Sequence, residues 1–185
     1  KYTVIDAIAK KPHRAVKAVS NVSLRISNRE TLGLVGESGC GKSTLARTII
    51  GLLTPTSGKV VFAGLDLASL DKRSLRKNCN NMQMIFQDPY SSLNPRMTVY
   101  RMLSEELKYH KVVPEDQIDS EINRLLTLVG LDIGLANRLP AAFSGGQRQR
   151  IGIARALAVR PRLIIDDEPV SALDVSIQAQ IINLL

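Results

Sequence analysis

Gly36-Glu37-Ser38-Gly39-Cys40-Gly41-Lys42-Ser43 is the stretch that decides the fold. It fits the spacing G-x-x-x-x-G-K-[ST]. Before it lies a short apolar run, residues 31–35, that reads as a buried strand. After it, residues 42–53 place Leu45, Ile49, Leu52 and Leu53 on one helical face and stop at Thr54-Pro55. Strand, glycine loop and helix are the context this pattern needs. A triphosphate requires many hydrogen-bond donors in a small arc. Glycines let the backbone curl so that successive N–H groups point inward, and a helix N-terminus adds positive potential. Lys42 would place a point charge on the β- and γ-phosphates, and the Ser43 hydroxyl would ligate Mg²⁺. The expected nucleotide set is Gly36, Glu37, Ser38, Gly39, Cys40, Gly41, Lys42, Ser43 and Thr44. The competing reading is a glycine-rich turn that precedes Lys-Ser by chance, and the strand–loop–helix context argues against it.

Two further motifs lie downstream. Leu163-Ile164-Ile165-Asp166-Asp167-Glu168-Pro169 is an apolar strand that ends in carboxylates, the end where ligands bind in open α/β sheets. Asp167 would hold the metal and Glu168 would orient or deprotonate an attacking water. Phe143-Ser144-Gly145-Gly146-Gln147 opens a helix at two glycines and a serine, a second anion site in the same chain. One small domain has little use for two triphosphate sites. A two-fold dimer does, with the phosphate loop of one subunit facing the glycine site of the other.

The rest of the chain fits this frame. Its 185 residues are 44% hydrophobic and 23% charged, with a net charge of +8. Those values suit a soluble globular protein. No apolar run approaches the ~18–20 residues of a membrane span. Residues 1–6 lack the apolar stretch of a signal peptide. Membrane association is therefore expected only through a partner. Cys40 and Cys79 have no metal-site spacing, which suits a reducing compartment. The basic residues are scattered, as at Arg148–150, and read as a solvated surface. Residues 19–26 alternate apolar and polar side chains, as a half-exposed strand does. Residues 59–62 and 82–86 are further strand candidates. Residues 88–95 form a polar loop bounded by prolines, expected to be a contact surface. Residues 98–109 and 114–129 read as helices, the second with Pro114, Glu115 and Asp116 in its first turn and with Ile118, Ile122, Leu125, Leu126 and Val129 at helical spacing. Residues 145–159 and 175–185 read as helices and 163–165 as a buried strand. The expected class is α/β, a P-loop core at 1–87 and 159–185 with a helical subdomain inserted at 88–158.

At this point the chain resembles the ATP-binding subunits of ATP-binding-cassette (ABC) transporters. Gly36–Ser43, Gln87, Ser144–Gln147, Asp167-Glu168 and Ser171-Ala172-Leu173-Asp174 follow the order of Walker A, Q-loop, signature, Walker B and D-loop. Gln87-Asp88-Pro89-Tyr90-Ser91-Ser92-Leu93-Asn94-Pro95-Arg96 and residues 169–180 look like the subfamily of bacterial dipeptide, oligopeptide and nickel importers. The resemblance implies an ATPase using ATP and Mg²⁺, peripheral on the cytoplasmic side of a bacterial inner membrane, where it powers permease subunits and pairs with a second nucleotide-binding subunit. It implies that Gln87 reaches the metal and the water, that Ser144, Gly145, Gly146 and Gln147 contact ATP held by the opposite subunit, and that Tyr2 stacks on adenine. Asp166 departs from the family, which has an apolar residue or cysteine there, and is expected to find a partner or stay exposed. Pro140-Ala141-Ala142 replaces a polar pair. The switch-loop histidine would lie beyond Leu185, and residues 1–185 alone are expected to turn over poorly. A nucleic-acid ATPase is the rival class. Chromosome-maintenance relatives would insert a long coiled coil and excision-repair relatives would carry zinc cysteines, and neither pattern is present. No nucleic-acid partner is expected.

Overall fold

A computed structural model describes residues 2–3, 15–86 and 92–167. The chain divides into two compact units, Lys1–Asp71 and Lys72–Leu185.

In the first unit, β1 (Tyr2–Thr3) pairs antiparallel with β2 (Ala15–Val16), Tyr2 opposite Val16. The helix α1 (Lys42–Ile49) follows the glycine loop. It stops four residues short of the extent read from periodicity, its last turn closed by Ile50 N–H donating to Ala46 O. A hairpin joins β3 (Val61–Phe62) to β4 (Leu65–Asp66). Its turn residues Ala63 and Gly64 have φ of +50° and +83°. Two positive φ values are what a two-residue hairpin of matching twist requires, and Gly64 meets this without a Cβ penalty.

Two sequence expectations do not hold in this unit. Residues 19–26 and 31–35 carry no strand ladder, and Leu32, Leu34 and Val35 are exposed. Asn21 at φ +52° interrupts the first extended run, and a turn at 27–30 ends it, with Glu30 N–H donating to Ser27 O. Alternation defines which face a strand would bury. The ladder itself needs a neighbouring strand, and among the described residues neither run has one.

In the second unit, α2 (Lys72–Cys79) leads into β5 (Met82–Ile85). Among the described residues, the longer helices that follow are α3 (Val99–Tyr109), α4 (Ile118–Leu128) and α5 (Gly145–Ala158). The chain then returns as β6 (Leu163–Asp166), parallel to β5 with Met82 opposite Leu163 and Ile85 opposite Asp166. Thr98 caps α3, its hydroxyl accepting from Arg101 N–H. The periodic residues expected for α4, Ile118, Ile122, Leu125, Leu126 and Val129, are all buried. They meet Val99, Leu103 and Leu107 of α3 and Ile151 and Ile153 of α5 in one core. Burying a side chain of this kind contributes about 1.5–3 kcal/mol. Pro114 starts a 3-10 turn, Glu115–Gln117, before α4 proper.

Inside this core sits a charged group. Glu121 is buried, accepts two hydrogen bonds of 2.9 Å from Arg124, and accepts a third of 3.2 Å from Arg160. The Arg124 bonds, ahead of Arg160, hold its carboxyl below the usual glutamate range. A depressed carboxyl stabilises the fold above its unfolded pKa, and the contribution is lost as pH falls through the folded value. Glu121→Gln should therefore cost about 1–3 kcal/mol near pH 7. The gap from the parent, read by thermal unfolding, should close as the pH drops below 4.5, the ordinary value. A gap that is constant with pH would assign the loss to packing and not to the ion pairs.

Candidate functional site

The phosphate loop is built by two glycines in the left-handed region, Gly39 at φ +79° and Gly41 at φ +104°. Gly41 is also the residue that begins α1. A Cβ at Gly41 would lie 2.2 Å from Ala18 O, so both conformation and space exclude any other residue. Lys42 Nζ reaches back over the loop and donates to Gly36 O at 2.8 Å and Glu37 O at 2.9 Å. An ammonium has three protons, and the third faces Cys40 Sγ at 3.9 Å, a weak acceptor that a phosphate oxygen would replace, so the closure keeps the charge over the loop. The N-terminus of α1 has no side-chain cap and no acidic residue in its first turn. The first N–H groups of a helix need outside acceptors, and a phosphate supplies them. The arrangement fits a triphosphate.

The second glycine site is the N-terminus of α5. Ser144 and Gln147 form a capping box: Ser144 Oγ accepts from Gln147 N–H at 3.2 Å, and Gln147 Oε1 accepts from Ser144 N–H at 3.0 Å. Both bonds use oxygen acceptors. The Ser144 O–H and the Gln147 NH₂ keep their donor capacity, and Gly145 adds no side chain in front of the first turn. A site of donors at a helix N-terminus suits an anion.

The third piece is the carboxylate end of β6. Asp167 N–H donates to Ile85 O at 3.1 Å, which continues the pairing with β5 one residue past the strand. Asp166 contradicts the sequence expectation. Both its oxygens are buried, and among the described residues neither has a hydrogen-bond partner. The cost is reduced by keeping the proton: burial, then the neighbouring charge of Asp167, pushes its pKa up to about 7. For a raised carboxyl the sign is opposite to that of Glu121. Below the ordinary value both folded and unfolded chains hold the proton. Between that value and about 7 only the folded chain does, so stability falls as pH rises and levels off above 7. Asp166→Val should remove this slope and stabilise the protein at pH 8 by about 2–4 kcal/mol. Denaturant titrations at pH 5 and pH 8 check it, and equal slopes for parent and variant would mean that Asp166 is solvated.

The family model described as "ABC transporter" matches residues 19–171. The chain belongs to the ABC transporter family. Relatives include the oligopeptide transport ATP-binding protein AppF of Bacillus subtilis (strain 168), 54% identical over 171 residues, which cover 92% of this chain and 52% of that protein. OppF of Salmonella typhimurium is 54% identical over 175 residues, covering 94% of this chain and 52% of that protein. The chain thus spans about half the length of these curated relatives. Among solved structures, the dimeric ATP-binding cassette MJ0796 in a post-hydrolysis state bound to ADP and Pi is 33% identical, with a TM-score of 0.81 over 90% of this chain and 72% of that one. CbiO1 of Clostridium perfringens, part of the cbiONQ complex, is 28% identical at a TM-score of 0.76, over 93% of this chain and 65% of that one. The fold is accordingly that of an α/β P-loop ABC ATPase.

Within this ABC chain, Gly36 to Thr44 lie together in the first unit. Ser144 to Gln147 and Asp167 lie in the second, and Tyr2 lies in β1. Gln87, Glu168 and the run Ser171 to Asp174 fall outside the described residues, as do 88–91 and 175–185. The ABC family's metal would take hard oxygen ligands. No cluster of three His, Cys, Asp or Glu occurs among the described residues. Mg²⁺, which keeps several waters and takes one or two protein oxygens beside phosphates, needs no such cluster. Asp167 fits better than the buried Asp166.

Sequence reasoning missed the arginines of α5. Arg150 Nη1 donates to Gly130 O at 2.6 Å, just beyond the end of α4, and Arg148 Nε donates to Pro140 O at 2.7 Å. They satisfy backbone carbonyls just after α4 and in the 3-10 turn Pro140–Ala142 ahead of α5, and are no solvated surface. The signal was available only as helix phase: residues 148 and 150 follow a glycine-rich start, and nothing local says what faces them.

Proposed function

We propose that this chain is the ATP-binding and hydrolysing part of a bacterial ABC importer that powers uptake of peptides or a related small solute. The observation that carries the reading is the loop Gly36–Ser43. Its left-handed glycines, the lysine drawn across its mouth and the uncapped helix behind it form a triphosphate cradle. The printed names of the relatives, oligopeptide transport ATP-binding proteins, supply the solute class.

In this reading the P-loop core is 1–87 with 159–185, and 88–158 is the helical subdomain. Gly36 to Thr44 bind the phosphates and Tyr2 stacks on adenine. Ser43, Gln87 and Asp167 hold Mg²⁺. Ser144, Gly145, Gly146 and Gln147 approach ATP on a second nucleotide-binding subunit. Glu168 and Gln87 act on the attacking water. Mg²⁺ held by these residues would supply neutralisation of the charge on the transferred phosphoryl group. No helix among the described residues is long and apolar enough to cross a membrane. Attachment at the cytoplasmic face through permease subunits, with residues 88–95 as contact surface, completes the reading. No nucleic acid takes part.

The test is ATP hydrolysis and labelled-oligopeptide uptake by the full-length protein assembled with its permease subunits. Turnover and uptake lost together after Lys42→Ala are the expected result. Turnover without peptide-dependent uptake would keep the ATPase and overturn the solute class.

A further inference from the structure

We propose that Arg155 is a positioning residue for turnover: it latches the chain at Ser92 to α5, the helix that begins at the signature. The inference rests on the functional reading above and adds a residue to it. Arg155 Nη1 donates to Ser92 O at 2.6 Å, a part-buried bond across 63 positions of sequence. Gly152, one turn earlier on α5, lies under the same residue, and a Cβ there would sit 3.9 Å from Ser92 Oγ. A Cβ alone would be in ordinary contact, and the γ-carbons of a longer side chain would crowd the Ser92 hydroxyl. Leu93 follows directly and is buried in the helical core.

Beside this contact is a cavity of about 10 Å³, lined by Ile85 and Phe86 at the end of β5 and by Ser92, Gln149, Gly152 and Arg155. That is room for one water. Gln149 is only 3% exposed, and its Nε2 has no hydrogen-bond partner among the described residues. A single water in the cavity would give this amide a partner.

One face of α5, through Gln149, Gly152 and Arg155, therefore holds the chain at Ser92, next to the buried Leu93. The same helix presents Ser144 and Gln147 at its N-terminus. A helix transmits displacement along its axis as a rigid element. The anchor at Ser92 and the signature donors consequently move as one body. Ser92 is five residues beyond Gln87. Releasing the latch should leave nucleotide affinity in place and degrade the alignment needed for hydrolysis, because small misplacements of positioning groups cost rate more than binding.

The experiment compares Arg155→Met, Arg155→Lys and Gly152→Val in the full-length protein. Arg155→Met should bind ATP within about twofold of the parent, lose roughly tenfold or more in kcat, and exchange the amide hydrogens of Ser92 and Leu93 faster. Arg155→Lys keeps a donor and should recover at least half of kcat. Gly152→Val displaces Ser92 with Arg155 intact and should reproduce the Arg155→Met result, which decides the matter if Arg155→Met does not fold. Unchanged amide exchange at Ser92 and Leu93 would overturn the latch, as would an unchanged kcat accompanied by a lowered Tm. The exchange measurement is independent of catalysis. A parent protein without ATPase activity would end the functional reading and still leave the latch to be judged.

Discussion

Lys42→Ala should remove Mg-ATP binding at micromolar nucleotide, with affinity reduced by at least roughly 10²–10³-fold. The estimate follows from the chemistry of the lost group. Hydrogen bonds to charged partners contribute about 1.5–3 kcal/mol each, and every 1.4 kcal/mol is tenfold in affinity. An ammonium facing two phosphates would make more than one such bond. The geometry adds a second reason. Lys42 Nζ joins Gly36 O and Glu37 O, six and five residues back. It therefore holds the loop curled before nucleotide arrives, and alanine would lose both the charge and this closure. The helix itself should survive. Lys42 is the first residue of α1, and alanine is the best helix former. Calorimetric titration with Mg-ATP, beside a circular dichroism spectrum that matches the parent, measures the effect. A variant with parental affinity would show that the loop is not the nucleotide site.

What the sequence made legible follows from which interactions are local. The phosphate loop declares itself because glycine spacing, lysine and serine act within eight residues. The helical unit was legible because helical period is a local property: all five apolar positions read for α4 are buried. The helix start at Ser144 was legible for the same reason, although its capping box with Gln147, three residues on, appears only in the structure. The end of α1 was read four residues too far, and the other failures are non-local. Residues 19–26 and 31–35 have strand-like composition, and composition carries no information about the neighbour that a ladder requires. Arg150 finds Gly130, twenty positions earlier, and Arg155 finds Ser92, 63 positions earlier. Asp166 was expected to be paired or exposed, and only the structure shows it buried without a partner among the described residues. Its compensation is protonation, a response that sequence alone does not display.

That state of Asp166 sharpens the expectation for the carboxylates beside it. Three acidic residues follow Ile165, and sequence order leaves their roles open. A carboxyl whose oxygens are both buried lacks the access to water and to a hydrated metal that a base or a ligand needs. Asp167, whose backbone extends the pairing of β6 to Ile85 O, stands one residue closer to the strand's open end. The base assignment then passes to Glu168, the next residue in sequence. Glu168→Gln keeps the shape of the side chain and its capacity to hydrogen-bond water, and removes only the ability to take a proton. Loss of a general base costs typically 10²–10⁴-fold. In the full-length protein, hydrolysis should fall by at least about 10²-fold while Mg-ATP affinity stays near that of the parent. If ATP joins two subunits through the phosphate loop of one and the Ser144 site of the other, blocked hydrolysis should also accumulate a dimer. Size-exclusion chromatography with and without Mg-ATP reads this directly. Asp166→Asn, made in parallel, should hydrolyse ATP at close to the parental rate, because both Asp166 oxygens are buried away from water and asparagine keeps their shape. The reverse pattern, a fast Glu168→Gln and a slow Asp166→Asn, would move the base to Asp166 and require that its carboxyl reach water during the cycle.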